Sequence, residues 1–262
     1  MTRPANSMTF DPVRLVVHAT RAAAERAVAD AITEQITATP AATLGLATGR
    51  SPIGVYDALV ERHRAGRLSF ARVTTFNLDE YWPIAPESDG SFHRFMRERL
   101  FDHVDIGASR WHLPDGAAAE ERLDEECADY EARIEAAGGI DLQLLGIGEN
   151  GHLAFNEPGS SRSGRTRRVR LAASTRRANR FAFPDREVPT DALTMGLGTI
   201  LDARSLIVLV SGEAKAPALT RALTGVIGPE SPASFLRDHA HVTVHADRAA
   251  AAGLSDPSQA AS

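Results

Sequence analysis

The chain has 262 residues, 24% of them charged and 43% apolar, with a formal net charge of -5. This is an ordinary globular balance with length enough for a sizeable core. The negative charge and the lack of a basic stripe argue against a nucleic-acid surface, and no apolar run approaches a membrane span. Cys127 is the only cysteine, so an intrachain disulfide is excluded, and no Cys/His spacing suggests a structural zinc. With an N-terminus, MTRPANSMTF, that lacks the apolar core of a signal peptide, these features predict a soluble cytoplasmic protein. Among 29 basic residues Lys215 is the only lysine, which marks it as a position where arginine does not serve.

Residues 1–12 read as a disordered tail. Residues 15–18 form a first expected strand, and Thr20 then caps an Ala-rich helix to about residue 36, with Ala24, Val28, Ile32 and Ile36 on one face. A second strand over 43–47 runs into Thr48-Gly49-Arg50-Ser51-Pro52. Ser51 at the N-cap and Pro52 at the first helical position predict a helix over 53–64. A strand, a glycine turn and a helix N-terminus make an anion site, although many α/β turns of this kind bind nothing. The turn matches neither a Walker A nor a GxGxxG pattern.

Residues 72–78 are a third strand, with Asp79 and Glu80 at its carboxyl end, where the pair reads either as helix caps or as catalytic acids. An amphipathic helix is expected over 91–104, and a charged one, mostly a solvated face, over 118–136. Residues 142–147 are an apolar run without charge, which suits a strand buried on both faces or a short buried helix. Gly146, Gly148 and Gly151 break that run. Glu149, Asn150, His152, Asn156 and Glu157 crowd the turn that follows, as in an active-site loop at a sheet's carboxyl edge. Beyond it, the arginine cluster 162–170 is either an anion site or strand-edge charge. A short helix with a glycine-softened turn is expected over 188–201, and a buried strand over 206–210. That strand leads to Ser211-Gly212-Glu213-Ala214-Lys215 at the start of a helix, where Pro217 is tolerated in the first turn. A last strand covers 241–245 and a polar tail 253–262. The alternation predicts one α/β domain over 13–252: a doubly wound, mostly parallel sheet flanked by helices, Rossmann-like in layout.

The stretch GIGENGHLAFNEP, residues 146–158, resembles the signature loop of the glucosamine-6-phosphate deaminases, also called glucosamine-6-phosphate isomerases. FNLDEY at 76–81, Ser174-Thr175-Arg176 and the segment ending at Lys215 resemble further family segments in the same order, so the likeness covers roughly residues 15–245. It implies conversion of glucosamine 6-phosphate and water to fructose 6-phosphate and ammonia. By the match, Asp79 moves a proton between sugar carbons, and His152 opens the ring with Glu157 and Asn150 beside it. Thr48, Gly49, Arg50, Ser51, Arg176 and Lys215 hold the phosphate. No metal or organic cofactor is implied; the partner is a small sugar phosphate, and a homo-oligomer is left open. Two positions depart from the usual pattern: a second glycine is common at Arg50, and aspartate is common at Asn150.

Two other readings compete. A 6-phosphogluconolactonase shares the fold and a GxGxDGHxA loop, but its loop usually continues Ser-Leu-Phe-Pro, where this chain reads AFNEP. A sugar-phosphate-sensing regulator would need a DNA-binding module, for which the N-terminus offers no helix-turn-helix.

Overall fold

Short runs of leucine, valine and threonine, free of charge at their centres, form the strands of the main sheet. In the computed structural model, which describes residues 6–254, β1 (Asn6–Phe10) and β2 (Val13–His18) are followed by α1 (Arg21–Ala38), β3 (Thr43–Leu46) and α2 (Ile53–Arg64). Next come β4 (Thr74–Asn77), β5 (Asp79–Trp82), α3 (Phe92–Arg99), β6 (Trp111–His112), α4 (Leu123–Ala136) and β7 (Leu142–Gly146). The last third holds β8 (Arg167–Arg170), α5 (Ala173–Ala178), β9 (Asp191–Thr194), α6 (Leu197–Leu201), β10 (Ser205–Val210), α7 (Ala216–Thr224) and β11 (Val242–Asp247).

Eight strands make the main sheet in the order β1-β2-β11-β10-β7-β3-β4-β6. Every pairing in it is parallel except that of β1 with β2. The mostly parallel, helix-flanked α/β frame expected from the sequence is therefore present. From β3 the chain builds outward through β4 and β6, and from β7 it builds the other way through β10 and β11. Adjacent β3 and β7 thus flank a topological switch point, where the following loops part to opposite sides and leave a crevice at the carboxyl edge. The apolar core lies against both faces, with Leu44, Leu144, Val208 and Val244 each at most 2% exposed.

Several local expectations need correction. Residues 6–10, read as part of a tail, form β1, whose Met8 pairs with Leu15; the alternation in this edge strand is too short to stand out. The rest of the expected tails, residues 1–5 and 255–262, lies outside the described residues. Ser51 does not cap α2: the cap position is Pro52 and no side chain bonds there. Thr20 does cap α1, accepting from the Ala23 amide. The helix expected over 188–201 is a strand, β9, followed by α6.

That strand belongs to a second element the sequence did not reveal, a three-stranded antiparallel sheet ordered β5-β9-β8. Its strands are four residues each and carry charge, Asp79-Glu80, Arg167-Arg168 with Arg170, and Asp191, so they lack the long apolar runs of the main sheet. One face rests on a small core in which Tyr81 meets Phe92, Phe155 and Phe183 at centroid distances of 4.7, 5.5 and 5.0 Å. The chain enters this sheet directly from β4 at Leu78, whose amide still bonds Leu46 in the main sheet. Asp79, the first residue of β5, is thereby fixed between the two sheets. The arginine cluster is strand-edge charge: Arg162 pairs with Asp238, Arg165 with Asp202, and Arg168 with Glu120 and Asp191.

Candidate active site

The switch-point crevice opens into a cavity of about 180 Å³ lined by Thr48, Gly49 and Ser51 after β3, Asp79 after β4, His152 after β7 and Lys215 after β10. A second hollow of about 270 Å³ shares Ser51, His152 and Lys215 with it and adds Arg50, Asn150, Thr175 and Phe181. Four separate strand ends therefore bring most of the expected residues to one place.

Gly49 holds φ at 86°, a left-handed turn that glycine adopts without steric cost. Arg50 lines the second hollow with its guanidinium 4.4 Å above the Phe181 ring, while its carbonyl accepts from Arg21. Lys215 ends a 3₁₀ turn (Glu213–Lys215) at the start of α7. Burial holds its pKa below the ordinary lysine value, with Glu149 pulling it up and Arg50 pushing it down; an anion beside it would raise it again.

Asp79 is 6% exposed. Its one side-chain partner is the Thr48 hydroxyl at 3.5 Å, the outer limit of a hydrogen bond. Burial, reinforced by the neighbouring Glu80 charge and opposed by Thr48, pushes its pKa up to about 8. Glu80 takes the other role that the sequence left open for this pair. It accepts from the Tyr81, Phe92 and His93 amides and the Ser91 hydroxyl at 2.8–2.9 Å and so caps α3, a favourable place for an anion. Burial nonetheless raises it to about 7 against those four donors.

The loop after β7 is built around Gly148. A Cβ there would lie 2.2 Å from His152 Cε1, so only glycine lets the imidazole fold back over the strand end. His152 Nδ1 lies 3.7 Å from Glu157 Oε2, within ion-pair reach but too long for a hydrogen bond, and is buried without another partner. Asn150 makes no hydrogen bond to the imidazole itself. Its Oδ1 accepts from the His152 amide at 3.2 Å and its Nδ2 donates to Glu157 Oε2 at 2.6 Å. Thr175 donates to the other oxygen of Glu157. Burial would raise Glu157, but the nearby His152 imidazole and the Thr175 and Asn150 donors hold it down at about 2.

Arg176 is the expected site residue that the structure leaves outside. Like Glu157 it lines neither hollow, but whereas Glu157 stands against His152, the Arg176 guanidinium faces Glu187 at 3.9 Å. Sequence reasoning missed Thr175 and Asn179, which both line the site; Thr175 was visible only as a neighbour of the arginine. Among the described residues, no group of three or more His, Cys, Asp or Glu side chains is placed to hold a metal ion. No helix among them is long and apolar enough to cross a membrane.

A parallel α/β frame with a buried acid, a histidine–glutamate pair and a lysine at one sheet edge defines an enzyme of the acid–base class. The chain belongs to the glucosamine-6-phosphate isomerase/6-phosphogluconolactonase family, whose model matches residues 17–245. A glucosamine-6-phosphate deaminase of Rhodopirellula baltica is 51% identical over 228 residues, spanning 87% of this chain and 90% of that protein. One from Bacillus velezensis is 48% identical over 226 residues, spanning 86% and 93%. A solved monomeric glucosamine-6-phosphate deaminase superposes with a TM-score of 0.87 at 42% identity, covering 92% of this chain and 99% of that one. The 6-phosphogluconolactonase of Trypanosoma cruzi shares the fold at 21% identity and a TM-score of 0.77.

Proposed function

We propose that this enzyme converts glucosamine 6-phosphate and water to fructose 6-phosphate and ammonia, as a cytoplasmic hydrolase of amino-sugar catabolism. The observation that carries the reading is that one cavity presents Asp79, His152 and Lys215 together. The relatives' named activity supports it.

The phosphate is held by Lys215, the Thr48–Ser51 loop and, if its side chain leaves Glu187, Arg176. Holding that end brings the ring carbons within reach of the acid and the imidazole. His152 takes the proton from the O1 hydroxyl and returns one to the ring oxygen, which opens the pyranose. Glu157 stays ionised and stabilises the transient imidazolium. Asp79 then removes the proton from C2 of the open aldehyde, giving an enolamine, and delivers a proton to C1. A carboxylate with a raised pKa is the stronger base for such a carbon acid. Water adds to the resulting imine at C2, ammonia leaves, and a ketone remains. Both proton positions lie on adjacent carbons, so one buried carboxylate serves both.

The test is ammonia release from glucosamine 6-phosphate, run beside galactosamine 6-phosphate and 6-phosphogluconolactone. Turnover confined to the lactone would replace this reading with the lactonase. No turnover, but tight sugar-phosphate binding, would favour a sensor.

A further inference from the structure

We propose that Thr175 is a positioning residue for the His152–Glu157 pair, an inference that rests on the ring-opening role given to that pair. Thr175 lies on α5, 18 residues beyond Glu157, and is 5% exposed. Its hydroxyl donates to Glu157 Oε1, while Oε2 takes the Asn150 amide at 2.6 Å. Each carboxylate oxygen is therefore held by a separate neutral donor, one from the loop after β7 and one from a helix outside it. The titratable group facing this carboxylate is the His152 imidazole, at 3.7 Å.

A carboxylate held at one oxygen pivots freely, because the terminal torsion of glutamate is broad. Held at both, it keeps its plane and its distance from Nδ1. The Thr175 backbone is itself held, since the threonine carbonyl accepts from both the backbone amide and the Nδ2 of Asn179, at 3.1 and 3.0 Å. Asn179 also lines both hollows, so the wall of the site and the orientation of Glu157 share one short helix. Loss of the hydroxyl would also leave Oε1 half-buried without a donor, which raises the cost of ionising Glu157.

Thr175→Val removes only the hydroxyl and keeps the branched shape, whereas Thr175→Ser keeps the hydroxyl and removes a methyl. Both variants and wild type are compared in kcat and KM for glucosamine 6-phosphate, and in a ¹³C NMR titration of the Glu157 carboxyl without substrate. Thr175→Val is expected to lower kcat about tenfold with KM within about twofold. Its Glu157 midpoint moves up by roughly one pH unit, and Thr175→Ser stays near wild type in both measurements. An unmoved midpoint with wild-type kcat overturns the proposal. So does a raised KM at constant kcat, which would assign Thr175 to binding, or equal damage in the serine variant, which would make its role packing. If wild type releases no ammonia, the functional reading fails. The substrate-free titration then still decides the positioning claim, for it by a moved midpoint and against it by an unmoved one.

Discussion

The amide of Asn150 donates at 2.6 Å to the same Glu157 oxygen that lies 3.7 Å from Nδ1 of His152. The asparagine therefore works on the histidine through the glutamate, and a change at residue 150 is read first in the carboxylate. Asn150→Asp would set two anions side by side and raise the Glu157 pKa from its depressed value near 2. A depressed carboxyl contributes stability that is present above the unfolded value, 4.5, and is lost as pH falls toward 2. Asn150→Asp is thus expected to cost about 1–2 kcal/mol near neutral pH, with the gap to wild type narrowing as pH drops below 4.5. Urea unfolding at a series of pH values measures it; a gap that does not change with pH would break the link between Asn150 and the Glu157 charge.

Asp79 presents the opposite sign. Its folded value, about 8, stands above the ordinary 3.8, so the folded state prefers the proton. The resulting penalty is absent below pH 3.8, grows as pH rises and levels off above about 8. Asp79→Asn is expected to abolish turnover and C2 solvent-hydrogen exchange, by at least about 10²-fold. At pH 8–9 the same variant is expected to be more stable than wild type, by about 1 kcal/mol or more. Retained exchange would move the base elsewhere. A melting difference equal at pH 4 and pH 9 would contradict the buried, proton-preferring carboxyl.

Lys215 stands at the start of α7, where a cation is unfavourable by roughly 0.3–1 kcal/mol. Stability alone does not account for it, and a phosphate dianion reverses the balance. Lys215→Ala is expected to melt like wild type without ligand, to lose the thermal shift given by fructose 6-phosphate, and to raise KM at least about tenfold. Lys215→Arg recovers only part of the loss, since its planar fork is wider than a point charge. Steady-state kinetics beside melting curves test this; an unchanged KM in Lys215→Ala would remove the lysine from the phosphate site.

His152 is needed for the ring and not for the carbon acid. His152→Gln is expected to slow the cyclic substrate about 10²-fold or more while an open-chain analogue loses far less. Equal losses on the two substrates would place the histidine in a later step.

The main sheet was legible because its strands are buried on both faces, so that 43–46, 142–146 and 206–210 read as uncharged runs. The edge where they converge followed from alternation, while Asp79, His152 and Lys215 were singled out along it by the resemblance of their segments to the family's. The small sheet was illegible for the opposite reason. Arg167–Arg170 reads as a charge cluster until Arg168 is seen paired with Asp191 on the adjacent strand. β9 is signalled by tertiary packing: a Cβ at Gly196, just beyond it, would lie 2.0 Å from the Gly164 carbonyl oxygen. The displaced Arg176 follows from the same cause. Its helix is only six residues long and sits outside the sheet whose periodicity could be read.

The two adjoining acids of β5 also divide their labour. Glu80, with four donors around it, acts as a rivet between a strand and the helix α3, and its lone pairs are spent on that joint. Asp79 on the opposite side of the backbone is left with a single distant hydroxyl, so nothing nearby quenches its appetite for a proton. Swapping their surroundings would produce a sturdier protein with an inert crevice. The helix N-terminus that satisfies Glu80 is, in this sense, what keeps its neighbour reactive.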